Sequence, residues 1–278
     1  MSAPLDLAGR LAVISGAGSG IGEALATRAA LDHAMQVVVA DVDAGRADAV
    51  VETIRTAGGQ AWAAVADVAD WDQVARLAQE TLRAHGAPAL VVCNAGVETT
   101  GLFWETAPEH WARTQSINVN GAFHLARAFL PTMVSGEQRS QLLFTSSIAG
   151  VGISAGQSAY HVSKHAVRVM AQALAADLES VAAPVGVSVL LPGVVATRIF
   201  DDATASNPQA EQLRATYADY LRSAGVTPDS IATRTLTALL AGERWIHDDP
   251  ALSRRMLEPH AADLLAGLEA GEPEVATA

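Results

Sequence analysis

Short, almost continuously apolar runs alternate along this chain with longer segments whose apolar positions recur at helical spacing. The runs are residues 10–15 (RLAVIS), 36–41 (QVVVAD), 60–66 (QAWAAVA), 89–93 (ALVVC), 141–146 (QLLFTS) and 186–191 (GVSVLL). Strands without an apolar–polar alternation are those covered on both faces, so these runs predict a parallel sheet between helical layers. Helices are predicted at 20–33, 43–57, 70–85, 108–134 and 158–182, and a weaker seventh strand at 244–247 (RWIH). Alternating strands and helices joined by right-handed crossovers predict an α/β, Rossmann-type, doubly wound parallel sheet of about seven strands with helices on both faces. No linker or repeat interrupts this rhythm before residue 200, so residues 1–278 are expected to form a single domain. Two additions are expected, a segment at about 198–225 and a C-terminal extension at about 248–278. Within 208–224, Leu213, Tyr217, Tyr220 and Leu221 share one helical face, which suits either core packing or a lid over a substrate.

Composition narrows the class. Half the residues are hydrophobic and 17% are charged, which excludes disorder for most of the chain. A net charge of −12 argues against nucleic acid or an anionic membrane as partner. The start MSAPLDLAGR lacks the features of a signal peptide, and no apolar run is long enough to span a bilayer. The lone Cys93 has no partner for an internal disulfide and is read as a small core residue. A cytoplasmic protein is expected. No metal site is predicted: His161 and His165 have the spacing of half a site but no third ligand, and 247–249 (HDD) reads as a solvated turn.

The chemistry begins at the end of the first strand, which runs into Ser15-Gly16-Ala17-Gly18-Ser19-Gly20-Ile21-Gly22 and then a helix. A glycine-rich turn there lets backbone N–H groups approach a pyrophosphate, and the helix N-terminus adds partial positive charge. Asp41 ends the second strand, 19 residues after Gly22, where a carboxylate would bind the adenosine ribose hydroxyls. It could instead cap the next helix, a task open equally to Asp43. A carboxylate there repels a 2′-phosphate, and the glycine loop has no Arg or Lys, so NAD is expected and NADP less so. Tyr160 and Lys164 are four residues apart at the start of a long helix and so share a face. A nearby ammonium is expected to lower the phenol's pKa, making Tyr160 a general acid/base for a carbonyl/alcohol pair. Ser147, just past the fifth strand, could hydrogen-bond the reacting oxygen.

Read together, SGAGSGIG at 15–22, Asp67-Val68, CNAG at 93–96, NVNG at 118–121, Ser147, YHVSK at 160–164 and PGVVAT at 192–197 resemble the short-chain dehydrogenase/reductase family in its shorter, single-domain branch. The resemblance implies Ser147, Tyr160 and Lys164 as catalytic residues with Asn118 as the fourth, kinking its helix and holding a water that relays protons from Lys164. It implies that Lys164 also binds the nicotinamide ribose and that Gly16, Ser19, Gly20, Ile21 and Gly22 cradle the phosphates. Asp67 and Val68 would flank the adenine, and Asn94, Ala95 and Gly96 would line the cofactor. Pro192 and Gly193 open the segment in which Val195 and Thr197 would meet the carboxamide and phosphates. Ser15 replaces the family's usual Thr and keeps its hydroxyl, whereas Cys93 replaces a frequent Asn and is expected to forgo a side-chain hydrogen bond.

The expected substrate pocket comprises Val97, Val151, Ile153, Gln157, Val194, Phe200, Leu213 and Tyr217, mainly apolar, with no Arg or Lys poised for an anionic group. These features predict NAD-dependent interconversion of a lipophilic secondary alcohol and its ketone. The alternatives are a non-catalytic nucleotide sensor of the same fold, or an epimerase or dehydratase relative. Small apolar faces on the 108–134 and 158–182 helices suit a homotetramer or homodimer.

Overall fold

The computed structural model of the chain describes residues 5–269. Its first strands are β1 (Leu11–Ser15), β2 (Gln36–Asp41), β3 (Gln60–Val65), β4 (Leu90–Cys93) and the two-residue β5 (Thr99–Thr100). They are followed by β6 (Ser140–Thr145), β7 (Val185–Leu191), a second two-residue strand β8 (Thr204–Ala205) and β9 (Trp245–His247). The helices are α1 (Gly20–Asp32), α2 (Ala44–Thr56), α3 (Trp71–His85), α4 (Pro108–Gln115) and α5 (Gly121–Ser135). Then come α6 (Ser158–Ser180), α7 (Pro208–Ala224), α8 (Pro228–Leu240) and α9 (Pro250–Glu269).

Seven strands form one parallel sheet in the order β3-β2-β1-β4-β6-β7-β9. Successive side chains of a strand point to opposite faces, and β1 shows what this does. Ala12 and Ile14 enter a core closed by α1, α2 and α8, while Leu11 and Val13 enter one closed by α3, α5 and α6. The expected Rossmann-type sheet with helices on both faces is therefore present. β3 departs from the buried pattern because it is an edge strand, and its Val65 is exposed.

Three local features differ from expectation. The helix predicted over 108–134 is two helices, α4 and α5, separated by a π-helical turn at Ser116–Asn120. The unpredicted α8 is rich in Thr, whose branched side chain lowers helix propensity. It is started by Thr227, whose Oγ accepts the Ser230 N–H at 3.2 Å, and it buries Ile231, Leu236 and Leu239. The turn at 247–249 is not solvated throughout, because Asp248 is buried and its carboxylate takes the Gly193 N–H at 3.4 Å and Arg234 at 3.3 Å. The expected extension begins with α9, and residues 270–278 lie outside the described residues. Among the described residues no helix is long and apolar enough to cross a membrane.

Candidate active site

Strand order reverses between β1 and β4, so the loops leaving their carboxyl ends diverge and open a crevice. Ser15 ties the two loops together: its hydroxyl donates to Val92 O at 3.2 Å and accepts the N–H groups of Asn94 (3.0 Å) and Ala95 (3.2 Å). Asn94 Nδ2 donates to the carbonyls of Ser15 (3.1 Å) and Gly16 (3.2 Å). Gly16 and Gly20 have φ values of +61° and +58°, a region glycine enters without strain. A Cβ at Gly22 would lie 2.1 Å from Gly16 O, so the first turn of α1 rests directly on the loop. Ser19, at the N-cap of α1, makes no side-chain cap bond, which leaves the first-turn N–H groups open to the crevice. Loop, glycines and uncapped helix fit a dinucleotide pyrophosphate.

Asp41 stands beside this loop, Oδ2 accepting the Gly18 N–H at 2.8 Å and Oδ1 the Asp43 N–H at 3.0 Å. Asp43 performs the capping of α2, taking the Arg46 N–H at 3.1 Å. The fold also brings in Arg46, which sequence reasoning did not place here. Its guanidinium is engaged by Asp43 at 3.4 Å and by Asp202 at 3.3 Å.

Ser147, Tyr160 and Lys164 meet at the far end of the crevice. Ser147 follows β6 as the N-cap of a short 3₁₀ turn and accepts the Ala149 N–H at 3.1 Å; its hydroxyl faces the Tyr160 phenol closely enough to favour the phenolate. Lys164 is buried, donates to Thr145 O at 2.9 Å, and its Nζ lies 5.5 Å from the centre of the Tyr160 ring. The expectation that Lys164 lowers the Tyr160 pKa is not met. Burial raises it, the charge of Glu98 raises it further, and only the Ser147 hydrogen bond acts the other way. The ammonium is aimed at a backbone carbonyl and itself pays for burial, which pushes Lys164 down to about 8. Asn118 sits in the π-turn, where the helix is interrupted as expected. Its side chain is committed elsewhere: Oδ1 accepts the Val97 N–H at 2.8 Å, and Nδ2 donates to Val97 O and Ser163 Oγ, both at 2.9 Å. Cys93 is buried and regains a weak hydrogen bond, Sγ donating to Ala122 O at 3.4 Å.

A cavity of about 560 Å³ runs from Asp41 to Tyr160. Every residue expected at the cofactor lines it except Gly22, which lies beneath the loop. Of the expected substrate residues, Val97, Gln157, Val194, Phe200 and Tyr217 line it. Three expectations are corrected. Val151 is buried in the core under α5 and α6, Ile153 is 60% exposed, and Leu213 packs toward Gly156 instead of the cavity. Sequence reasoning missed Glu98, Met256 of α9, and two cations, Arg113 and Arg198, that also line the cavity. Arg198 is paired with Asp202 at 3.3 Å.

Such a crevice at the reversal of a parallel sheet is the arrangement of the Rossmann-type fold. The sequence description of short chain dehydrogenases matches residues 10–208, and the chain belongs to that family of oxidoreductases. It is similar to "Probable oxidoreductase EphD" of Mycobacterium tuberculosis, 34% identical over 68% of this chain but 31% of that protein, so it spans about a third of that relative's length. It is also similar to "1-deoxy-11-beta-hydroxypentalenate dehydrogenase" of Streptomyces exfoliatus, 36% identical over 72% of this chain and 73% of the relative. Among solved structures, a short chain dehydrogenase/reductase from Burkholderia phymatum in complex with NAD is 31% identical, with a TM-score of 0.89 over 94% of this chain and 96% of that one.

Proposed function

We propose that the protein is an NAD-dependent dehydrogenase that interconverts a secondary alcohol of largely apolar skeleton and its ketone. The observation that carries this reading is that Ser147, Tyr160 and Lys164 meet on the wall of the cavity whose other end is built by the glycine loop and Asp41. Bound NAD would supply the hydride acceptor. Tyr160 takes the proton of the substrate hydroxyl, and in the reverse direction returns it to the ketone oxygen. Ser147 directs its hydrogen bond at that same oxygen. Lys164, whose Nζ is held by Thr145 O, would bind the nicotinamide ribose. Asn118 acts by clasping Val97 and Ser163, and any water it holds in a proton relay would use its backbone. Asp41 supports NAD over NADP, and Arg46, a cation beside it, is already engaged by two carboxylates.

Val97, Val194, Phe200, Tyr217 and Met256 favour an apolar substrate body. Arg113 favours a second reading, in which the substrate carries an anionic group at the cavity rim, because this exposed guanidinium lines the cavity. Segment 198–225 serves as the substrate lid. Exposed Phe123 on α5 and Val162 and Val169 on α6 suit a homodimer or homotetramer, which light scattering measures. The deciding experiment follows the near-ultraviolet absorbance of reduced nicotinamide with a panel of alcohols and of neutral and carboxylated ketones, using NAD(H) and NADP(H). Neutral ketones are expected to turn over with NADH. Exclusive use of carboxylated ketones establishes the second reading, and cofactor binding without any turnover refutes the dehydrogenase.

A further inference from the structure

Two guanidiniums reach the end of the cavity where Asp41 stands, and one carboxylate of segment 198–225 engages both. Arg46, in the first turn of α2, and Arg198 line the cavity together with Asp41 and Asp202. Asp202 Oδ2 lies 3.3 Å from Arg46 Nη1, and its Oδ1 lies 3.3 Å from Arg198 Nη2. Arg46 stands beside Asp41, since a Cβ at Gly18 would lie 2.8 Å from Arg46 Cβ and 2.8 Å from Asp41 Oδ2. Arg46 Nε is also 3.4 Å from the Asp43 carboxylate. The backbone holds Asp202 in place. Its own N–H donates to Arg198 O at 2.9 Å, and the Thr204 N–H donates to Glu98 O at 3.2 Å. From α7, Arg214 donates to Asp201 O at 3.2 Å and Arg222 to the Asp201 carboxylate at 2.6 Å.

Stability does not account for this arrangement. The side chains of Arg46, Asp202 and Arg198 are 39%, 44% and 59% exposed, and exposed ion pairs add little to folding. They bear instead on an incoming anion. Asp41, Asp43 and Asp202 outnumber Arg46 and Arg198 by one carboxylate, so these five groups together are negative. A 2′-phosphate on the adenosine ribose brings about two further negative charges, and it meets both guanidiniums already engaged. Removing the Asp202 charge alone cancels the excess and releases both cations. We propose that Asp202 is a second determinant of cofactor choice, supplied by segment 198–225, which excludes the 2′-phosphate by masking Arg46 and Arg198. Because it acts through the two cations, Asp202 is a positioning residue and not a catalytic one. The inference rests on reading the crevice as an NAD site.

Fluorescence titration gives the Kd of NADH and of NADPH without any substrate, and their ratio cancels changes common to both. The wild type is expected to bind NADH more tightly. Asp202→Asn keeps the shape of the side chain and removes its charge. It is expected to lower the NADPH-to-NADH ratio of Kd values about five- to tenfold, the return on one or two exposed ion pairs to a phosphate. Added salt should shrink that gain. Adding Arg46→Ala and Arg198→Ala to Asp202→Asn should abolish it, since no cation is left to unmask. Thermal unfolding of Asp202→Asn is expected to match the wild type. An unchanged ratio in Asp202→Asn overturns the inference, and equal movement of both Kd values marks a purely structural role. A gain that survives removal of both arginines overturns the masking. A wild type that binds NADPH as tightly as NADH overturns instead the NAD reading on which the inference rests.

Discussion

Replacing Gly22 with alanine tests whether the glycine loop is built to hold phosphate or merely to turn the chain. The added Cβ would lie 2.1 Å from Gly16 O, 2.6 Å from Asn94 Nδ2 and 2.8 Å from Gly16 C. Two of these neighbours are backbone atoms of a loop already in the left-handed region, so no side chain can swing aside to make room. The first turn of α1 has to lift away from the loop by more than an ångström, and the bond from Asn94 to Gly16 O is lost. Overpacking costs about 1–3 kcal/mol and a lost hydrogen bond about 1 more. A destabilisation of about 2–4 kcal/mol lowers Tm by on the order of 5–15 °C for a domain of this size. Moving one N–H off a phosphate removes a charge-assisted bond of about 1.5–3 kcal/mol, so the NADH Kd is expected to rise roughly 10- to 100-fold. Fluorescence titration with NADH and a thermal melt read the two effects. Gly267→Ala is the control, because nothing lies within 4 Å of its Cβ on α9, and a gain of up to about 1 kcal/mol is expected there. A Gly22→Ala protein that binds NADH and melts like the wild type would refute the steric reasoning.

Tyr160→Phe is expected to lower turnover by about 10²- to 10⁴-fold while leaving NADH affinity nearly intact, and retained turnover would remove Tyr160 as the acid/base. Asp41→Ala should reduce the preference for NAD over NADP, read as the ratio of the two kcat/KM values; an unchanged ratio would show that Asp41 is not the selector. Lys164 has its pKa lowered from 10.5 to about 8, so the folded state holds fewer protons than the unfolded chain between those values. Stability attributable to it therefore rises with pH across that window, and the Tm difference between wild type and Lys164→Met should shift in favour of the wild type from pH 8 to 10.5. Burial pushes the Cys93 thiol up, so a chromogenic disulfide reagent should label it only as fast as the protein opens, and rapid labelling of the folded protein would contradict its burial.

The sheet was legible because six short apolar runs have few other ways to be buried, and the glycine loop because its spacing follows a strand. The break between α4 and α5 was legible only through the family resemblance, which implied a kink at Asn118, since the residues of the π-turn, SINVN, include neither Gly nor Pro to mark it in the periodicity. β5 and β8 are two residues each, too short to show a period. The cofactor end of the site was readable in sequence because backbone geometry builds it and glycines record that geometry. The substrate end was not, because side chains from distant elements build it. Nothing in the sequence marks Glu98 as buried, its 1% exposure being set by the folded neighbours, and Met256 reads as part of an appendage until α9 folds back onto the cavity. The three misplaced pocket residues, Val151, Ile153 and Leu213, are apolar and near the site in sequence, which is not the same as facing it.

The short pairing of β5 with β8 has a mechanical consequence. The Thr204 N–H donates to Glu98 O at 3.2 Å and the Ser206 N–H to Thr100 O at 3.0 Å, fastening residues 198–225 within their first third. The stretch leading up to Ala203 and the helix α7 are thereby both anchored to the segment that carries Glu98, and Arg214 of α7 donates to Phe200 O at 2.6 Å, tying the two to each other.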